Sequence, residues 1–178
     1  MRSHIHAEIL QRLQRVKLFL CDVDGVLTDA SVIMGPGTEF KAFNLRDGLG
    51  LRLLQTEGIK VGWISARPSP ATLERANDLK IDYLHQSSSS KVEGIEEILK
   101  KAHCGWQDIA YLGDDLVDLG AMRRAGFAAA PAGSIPEACK LAHYVCHFSG
   151  GHGAVREVAD LILRAQGRWE SLIDRFMQ

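Results

Sequence analysis

Two aspartates at the end of an apolar run, in Leu18-Phe19-Leu20-Cys21-Asp22-Val23-Asp24-Gly25, are the residues of this sequence best placed to do chemistry. Burying carboxylates beside a hydrophobic strand is costly unless a cation or dense hydrogen bonding compensates. A fold that accepts this cost has a use for the acids: to hold a hard divalent cation and to present a carboxylate oxygen to an electrophile. A second apolar run also ends in acids, at Gly113-Asp114-Asp115, with Asp118 one helical turn further on. Acids gathered around one point repel each other strongly without a cation between them, and magnesium suits oxygen ligands while keeping positions for water and a phosphate oxygen. Ser65 ends a third apolar segment and can donate a hydrogen bond to a phosphate oxygen, while Lys91 opens a helix and can supply positive charge to the same group. A carboxylate attacking a phosphate dianion needs that neutralisation, because otherwise two anions must meet.

The elements that must position these residues alternate along the chain. Residues 16–21 read as a strand. Residues 31–34 and 39–43 read as a hairpin around Gly35-Pro36-Gly37. Residues 47–57 read as a helix with Leu49, Leu53 and Leu54 on one face, stopped by Gly58. A strand at 60–65, a helix at 70–79, a short strand at 82–84 and a helix at 92–102 with Ile95, Ile98 and Leu99 inward come next. The strand at 109–112, a helix at 116–125, a strand at 127–130, a helix after Ser134 and a strand at 143–146 complete the alternation, and 154–164 and 168–176 read as helices. Residues 1–15 read as a short amphipathic helix through Ile5, Ile9, Leu10 and Leu13, with His4 and His6 solvated; Ser87 to Ser90 reads as a loop, and His85 and His152 as surface or loop residues, with lining of the sugar site as the alternative. This alternation predicts an α/β fold, a doubly wound, mostly parallel sheet with a small β-hairpin insertion near 31–43, as a single domain over 1–178 with a helical tail at 154–178. Such sheets bind ligands at the carboxyl ends of their strands, so Asp22, Ser65 and Asp114 are expected to converge on one crevice.

Composition narrows the partners. A formal net charge of -1 gives no basic surface for nucleic acid. No apolar run is long enough to span a bilayer, and the N-terminus lacks a signal-peptide core, so no membrane partner is expected. The four cysteines, Cys21, Cys104, Cys139 and Cys146, form no CxxC pair and read as reduced thiols of a cytoplasmic protein. A zinc site from His103 and Cys104 lacks two further ligands at usual spacing.

The set Asp22-x-Asp24-Gly25-Val26-Leu27-Thr28, Ser65, Lys91 and Gly113-Asp114-Asp115-x-x-Asp118 resembles, in order and spacing, the four motifs of the haloacid dehalogenase superfamily of phosphatases. The segments Lys41-Ala42-Phe43-Asn44-Leu45-Arg46-Asp47-Gly48 and Gly150-Gly151-His152-Gly153-Ala154-Val155-Arg156-Glu157 make the resemblance closer still to its 3-deoxy-D-manno-octulosonate 8-phosphate (KDO 8-phosphate) phosphatase family. The resemblance implies a magnesium-dependent phosphomonoesterase of lipopolysaccharide precursor synthesis acting on a 3-deoxy-ulosonic acid phosphate. Asp22 would be the nucleophile that forms an aspartyl-phosphate, and Asp24 the acid that protonates the leaving sugar oxygen and then activates water. Mg2+ would bind Asp22, the Asp24 backbone carbonyl and Asp114, with Asp115 and Asp118 behind them. Ser65 and Lys91 would hold phosphoryl oxygens, and Asn44, Arg46, Asp47, Gly48, Arg52, Arg67 and Arg75 would bind the sugar phosphate. It also implies no large cap domain, a homotetramer in which a neighbour helps close the site, and a glycine-rich tail, Gly150 to Gly153, that reaches the adjacent crevice.

Three positions depart from the family pattern: Ala30 and Ala66 stand where glycine is usual, and His152 where arginine is. They bear on substrate identity more than on reaction type. Nine-carbon, sialic-acid-type 9-phosphates are the runner-up substrates. A non-catalytic tetramerisation module is the rival of another class, and a phosphoacceptor signalling domain a third; the acid two residues beyond Asp22 argues against the last. Read singly, Asp22-x-Asp24 can be a solvated turn, Ser65 a helix cap, Lys91 a solvated helix residue and the arginines surface ion pairs; their company promotes them.

Overall fold

A computed structural model describes residues 7–88 and 90–178, so the readings at His4, Ile5, His6 and Ser89 lie outside the described residues. In chain order the first elements are α1 (Ala7–Gln14), β1 (Leu18–Cys21), β2 (Ile33–Gly35), β3 (Thr38–Phe40), α2 (Leu45–Thr56), β4 (Lys60–Ser65), α3 (Pro70–Asp78) and β5 (Tyr83–Gln86). Then come α4 (Lys91–Ala102), β6 (Ile109–Leu112), α5 (Leu119–Met122), β7 (Phe127–Ala132), α6 (Pro136–Leu141), β8 (Tyr144–Ser149), α7 (Ala154–Ala165) and α8 (Trp169–Phe176).

Six strands form one sheet in the order β5-β4-β1-β6-β7-β8, with every pairing parallel, and β2 and β3 form a separate antiparallel hairpin. Period-two alternation sorts the side chains between two helical layers. Phe19, Cys21, Val61, Trp63, Ala110 and Leu112 join a core with α1, α2, α3, α7 and α8. Leu18, Leu20, Ile64, Ile109 and Tyr111 join a second core with α4, α5 and α6. The fold is the expected doubly wound α/β sheet with a small hairpin.

The chain winds from β1 outward through β4 and β5, then returns to the other side of β1 to lay down β6, β7 and β8. The winding direction therefore reverses beside β1, where the loops leaving β1 and β6 part and open a crevice.

Several local expectations shift. On α2, Leu49 is exposed and Leu51 is fully buried, because this helix packs on both the sheet and α7, and Gly50 lets the two helices approach closely: a Cβ there would meet Ala159 at 3.3 Å. The stop at Gly58 stands, with φ +80. The helix expected at 116–125 is a 3-10 turn, Leu116–Asp118, followed by one turn of α5. Asp115 opens that turn and Asp118 folds its carboxylate back under it, which tightens the backbone. The hairpin strands are shorter than expected, and β8 runs three residues further, to Ser149. His85 lies in β5 rather than a loop, and its Nε2 is enclosed without a hydrogen-bond partner among the described residues. No described helix is long and apolar enough to cross a membrane.

Candidate active site

Asp22 is the first residue past β1, and the strand's own pairing fixes it: its N–H donates to the Leu112 carbonyl of β6 at 3.0 Å. It is 6% exposed. Its Oδ1 accepts from the Val23 N–H at 2.7 Å, and its Oδ2 takes Lys91 Nζ at 2.7 Å. The N–H groups of Leu27 and Thr28 both turn back to the Val23 carbonyl, at 2.9 and 3.1 Å, which curls the loop tightly after the acids. That curl needs Gly25, with φ +90, and a Cβ there would lie 2.6 Å from Asp114 Cγ. The two acidic loops touch at this glycine.

From the β6 side, Asp118 is buried and fully engaged. Its Oδ1 accepts from Lys91 Nζ at 2.7 Å and from Tyr111 Oη at 2.6 Å. Its Oδ2 accepts from the Asp114 and Asp115 N–H groups at 3.0 and 3.2 Å. Asp118 thereby shapes the loop that presents Asp114 and helps hold the lysine. Asp114 is different: its Oδ1 is buried and has no hydrogen-bond partner among the described residues. Asp22, Asp114 and Asp118 each offer an oxygen within 4.8 Å of the others. Since Asp118 already accepts four hydrogen bonds, Asp22 and Asp114 are the acids with capacity left for a cation. Asp115, exposed, accepts from the Leu116 N–H at 2.6 Å and caps the turn.

Electrostatics follow from this crowding. Burial pushes the Asp22 carboxyl upward and the Asp118 charge adds to it, while Lys91 pulls the other way. Burial, then the Asp118 and Asp22 charges, raise Asp114 to about 7. Burial works against charge on Lys91, but the carboxylates of Asp22 and Asp118 outweigh it and raise its pKa. An all-carboxylate donor set with an orphaned, buried oxygen fits a hard divalent cation such as magnesium.

Ser65 closes β4 and is 2% exposed; its Oγ donates to the Arg67 carbonyl at 2.9 Å and accepts the Arg67 N–H at 3.1 Å. The cap of α3 is Ser69, whose Oγ accepts the Thr72 N–H at 3.3 Å. Lys91 is the first residue of α4 and 4% exposed, so it is a buried ion-pair partner rather than a solvated helix residue. Asp24 is held from the hairpin side, where Lys41 Nζ donates to both of its oxygens at 2.7 and 2.9 Å.

Several residues expected to bind the sugar also have partners within the scaffold. Asn44 caps α2, accepting the Arg46 N–H at 2.8 Å, and its Nδ2 donates to the Gly151 carbonyl at 3.1 Å. Asp47 is buried and caps α7, accepting the N–H groups of Gly153 at 3.2 Å and Arg156 at 2.8 Å; burial still raises its pKa against those bonds. Gly48 makes room for Arg75, whose Nη2 would lie 2.6 Å from a Cβ there, and Arg75 pairs with Asp78. Arg52 points to Gln55 and to the Leu79 carbonyl, at 2.8 and 3.3 Å, along α2 and away from the acids. Arg67 pairs with Glu39 of the hairpin. Arg46 remains exposed, beside His152 and Arg156 on a cavity of about 340 Å³. His152 also lines a cavity of about 210 Å³ with Asp114, Asp29 and Ser134, at the mouth of the crevice.

The glycine-rich stretch lies on this chain's own crevice: the Gly151 N–H donates to the Val26 carbonyl at 3.0 Å. The last helix, α8, is tied to the opposite end of the molecule, where Leu172 is buried and Arg175 pairs with Glu57 beyond the end of α2. Sequence reasoning gave no role to Lys41, Glu39 or Tyr111. Tyr111 had a readable signal, a phenol inside an apolar strand that ends at acids. Lys41 and Glu39 had none, because their partners lie 17, 28 and 30 residues away.

No family model matches the chain. It is 44% identical over 164 residues to 3-deoxy-D-manno-octulosonate 8-phosphate phosphatase KdsC of Yersinia pestis, covering 92% of this chain and 88% of that protein. The crystal structure of the phosphatase of that name from Moraxella catarrhalis, in complex with magnesium, phosphate and KDO, superposes with a TM-score of 0.93 at 38% identity, covering 96% of this chain and 99% of the other. The cobalt-bound phosphatase from Haemophilus influenzae superposes with a TM-score of 0.86 at 37% identity, covering 88% and 92%.

Proposed function

The chain belongs to the KDO 8-phosphate phosphatase family of the haloacid dehalogenase superfamily, and from that premise we propose that it hydrolyses KDO 8-phosphate to KDO and phosphate with Mg2+ and Asp22. The observation that carries this reading is the pairing of a buried Asp22, held by Lys91, with an enclosed and unpartnered Asp114 oxygen. A purely structural domain gains nothing from that arrangement. Asp22, the Asp24 backbone carbonyl and Asp114 would hold Mg2+, which when bound supplies the positive charge that lets carboxylate and phosphate meet.

The chain's residues supply the remaining chemistry. Val23 N–H and Lys91 orient the Asp22 carboxylate so that one oxygen can attack phosphorus in line with the departing sugar oxygen. Lys91 and Ser65 neutralise and bind the equatorial oxygens. Asp24 gives its proton to the leaving sugar oxygen as the phosphorus–oxygen bond breaks, then takes one from the water that attacks phosphorus and releases the Asp22 carboxylate from its acyl phosphate. Asp118 touches no reacting atom in this scheme; it fixes Lys91 and the Asp114 loop.

We assign the active form to a homotetramer in the cytoplasm. The hairpin supports assembly: Ile33, Met34 and Phe40 are exposed, an apolar surface that a second copy would bury. Four free cysteines suit a reducing compartment.

The test is a panel of phosphomonoesters ranked by kcat/KM with and without Mg2+. KDO 8-phosphate should lead. A nine-carbon 9-phosphate in first place would move the assignment within the same chemistry, and absence of Mg2+-dependent turnover would leave the tetramerisation module.

A further inference from the structure

Asp24 is the one acid of the site tied to the hairpin, and the tie is a buried lysine. Lys41 stands just past β3 on the strap to α2; its side chain is 0% exposed, while that of Asp24 is 26% exposed. Lys41 Nζ lies 2.7 and 2.9 Å from the two Asp24 oxygens. Among the described residues it is the hydrogen-bonding partner of that carboxylate. Enclosing a lysine stem costs rotamer entropy, and enclosing its ammonium costs hydration, so the position is a demanding one to fill. The hairpin base is itself anchored: Glu39 pairs with Arg67 and accepts from Ser69 Oγ, in the loop that follows Ser65.

Both oxygens of Asp24 are held by one ammonium, which fixes the side chain's two torsions at a partly exposed position of a mostly buried loop. An acid that must reach a leaving oxygen in one step and a water in the next gains from such an anchor. One oxygen can stay on Lys41 while the other carries the proton, and no bond to metal or phosphate is disturbed. Misplacing a catalytic group by about 1 Å costs on the order of 100-fold in rate.

We propose that Lys41 is a positioning residue that holds the Asp24 carboxylate, from the base of the hairpin, in the place where it exchanges its proton with the leaving sugar oxygen and then with water. The inference rests on the reading of Asp24 as acid and base.

The test compares the Mg2+-loaded parent with Lys41→Met and Lys41→Arg on KDO 8-phosphate and on p-nitrophenyl phosphate. A sugar oxygen leaves as an alkoxide that needs a proton; nitrophenolate leaves without one. kcat/KM reports the steps up to departure of that group. Lys41→Met should lose about ten- to 100-fold on the sugar phosphate and less than about threefold on the nitrophenyl ester, and Lys41→Arg should recover most of the loss. In an Asp24→Asn background, Lys41→Met should cost nothing further, a comparison that holds even where the methionine lowers stability. Equal losses on both substrates, or an additive loss in the Asp24→Asn background, would overturn the inference while the phosphatase reading stands. A parent inactive on both substrates would overturn that reading and the inference with it.

Discussion

The acidic loops after β1 and β6 are built alike and wired differently. Each follows a four-residue strand buried along its whole length, and each ends in aspartates at the crevice. After β1 the two acids of the Asp22-x-Asp24 pair each meet a lysine, Asp22 meeting Lys91 and Asp24 meeting Lys41, while the exposed Asp29 accepts from the Ser31 N–H. After β6 Lys91 reaches Asp118, deep under the loop, but among the described residues Asp114 pairs with no cation and keeps a buried oxygen without a partner. In the first loop lysines offset the carboxylates, and in the second one carboxylate oxygen stays unengaged by any described residue. The difference separates the lysine-paired carboxylates of Asp22 and Asp24 from that of Asp114, whose enclosed oxygen is open to an ion.

The largest effect is expected at Asp22, the proposed nucleophile. Asp22→Asn keeps the shape of the β1 loop but removes the attacking carboxylate, so turnover of phosphomonoesters should fall by at least about 10⁴-fold. Phosphatase assays with a circular dichroism control measure it; a residual rate within tenfold of the parent would remove Asp22 from the reaction.

Next comes the lysine shared between the loops. Lys91→Met leaves Asp22 and Asp118 facing each other without a cation. It should cost on the order of 10²–10³ in rate and about 3 kcal/mol in stability. Urea unfolding of the metal-free protein reads the second figure. Parent-like stability would mean that the β1 loop does not depend on the protein for its balance.

Acidity tests the other loop. Asp114 is raised to about 7 in the folded protein, against about 4 in an unfolded chain. The folded state therefore binds this proton more tightly than the unfolded state, and the metal-free protein loses stability as pH rises from about 4 through 7. A cation competes with the same proton. Mg2+ should accordingly raise Tm more near pH 8 than near pH 5.5, by differential scanning fluorimetry. Equal shifts at both would mean that no acid of the crevice exchanges a proton for the cation in this range, Asp22 included, since burial raises it in the same direction.

The smallest effect concerns backbone strain after β1. Ala30 has φ 68, in the left-handed region where a Cβ is disfavoured and glycine is at ease. Ala30→Gly should therefore stabilise the fold by about 0.5–1 kcal/mol in a denaturant titration. A destabilised variant would mean that the loop holds this alanine without strain.

The fold and the acids were legible in the sequence because each has a local cause. Alternating strand and helix patterns predicted the sheet, and acids at strand ends marked its carboxyl edge before any distance was known. The sugar-binding set was less legible. Nothing local in the sequence shows that Asn44 and Asp47 also cap α2 and α7, with bonds to Gly151, Gly153 and Arg156 more than a hundred residues on. Leu49 follows the helical period correctly and still faces out, because Gly50 and Leu51 meet α7 and the sheet instead.

What the sequence by itself determined is the order of strands and helices and the kind of residue at each strand end, because hydrophobic periodicity and the cost of desolvating acids act within a few residues. Only the tertiary structure decided which acid meets which lysine, and which acid meets none. Ion pairs form at separations under 3 Å here, and separations that small between distant segments are set by the packing of the whole sheet, hairpin and helices rather than by any stretch of chain alone.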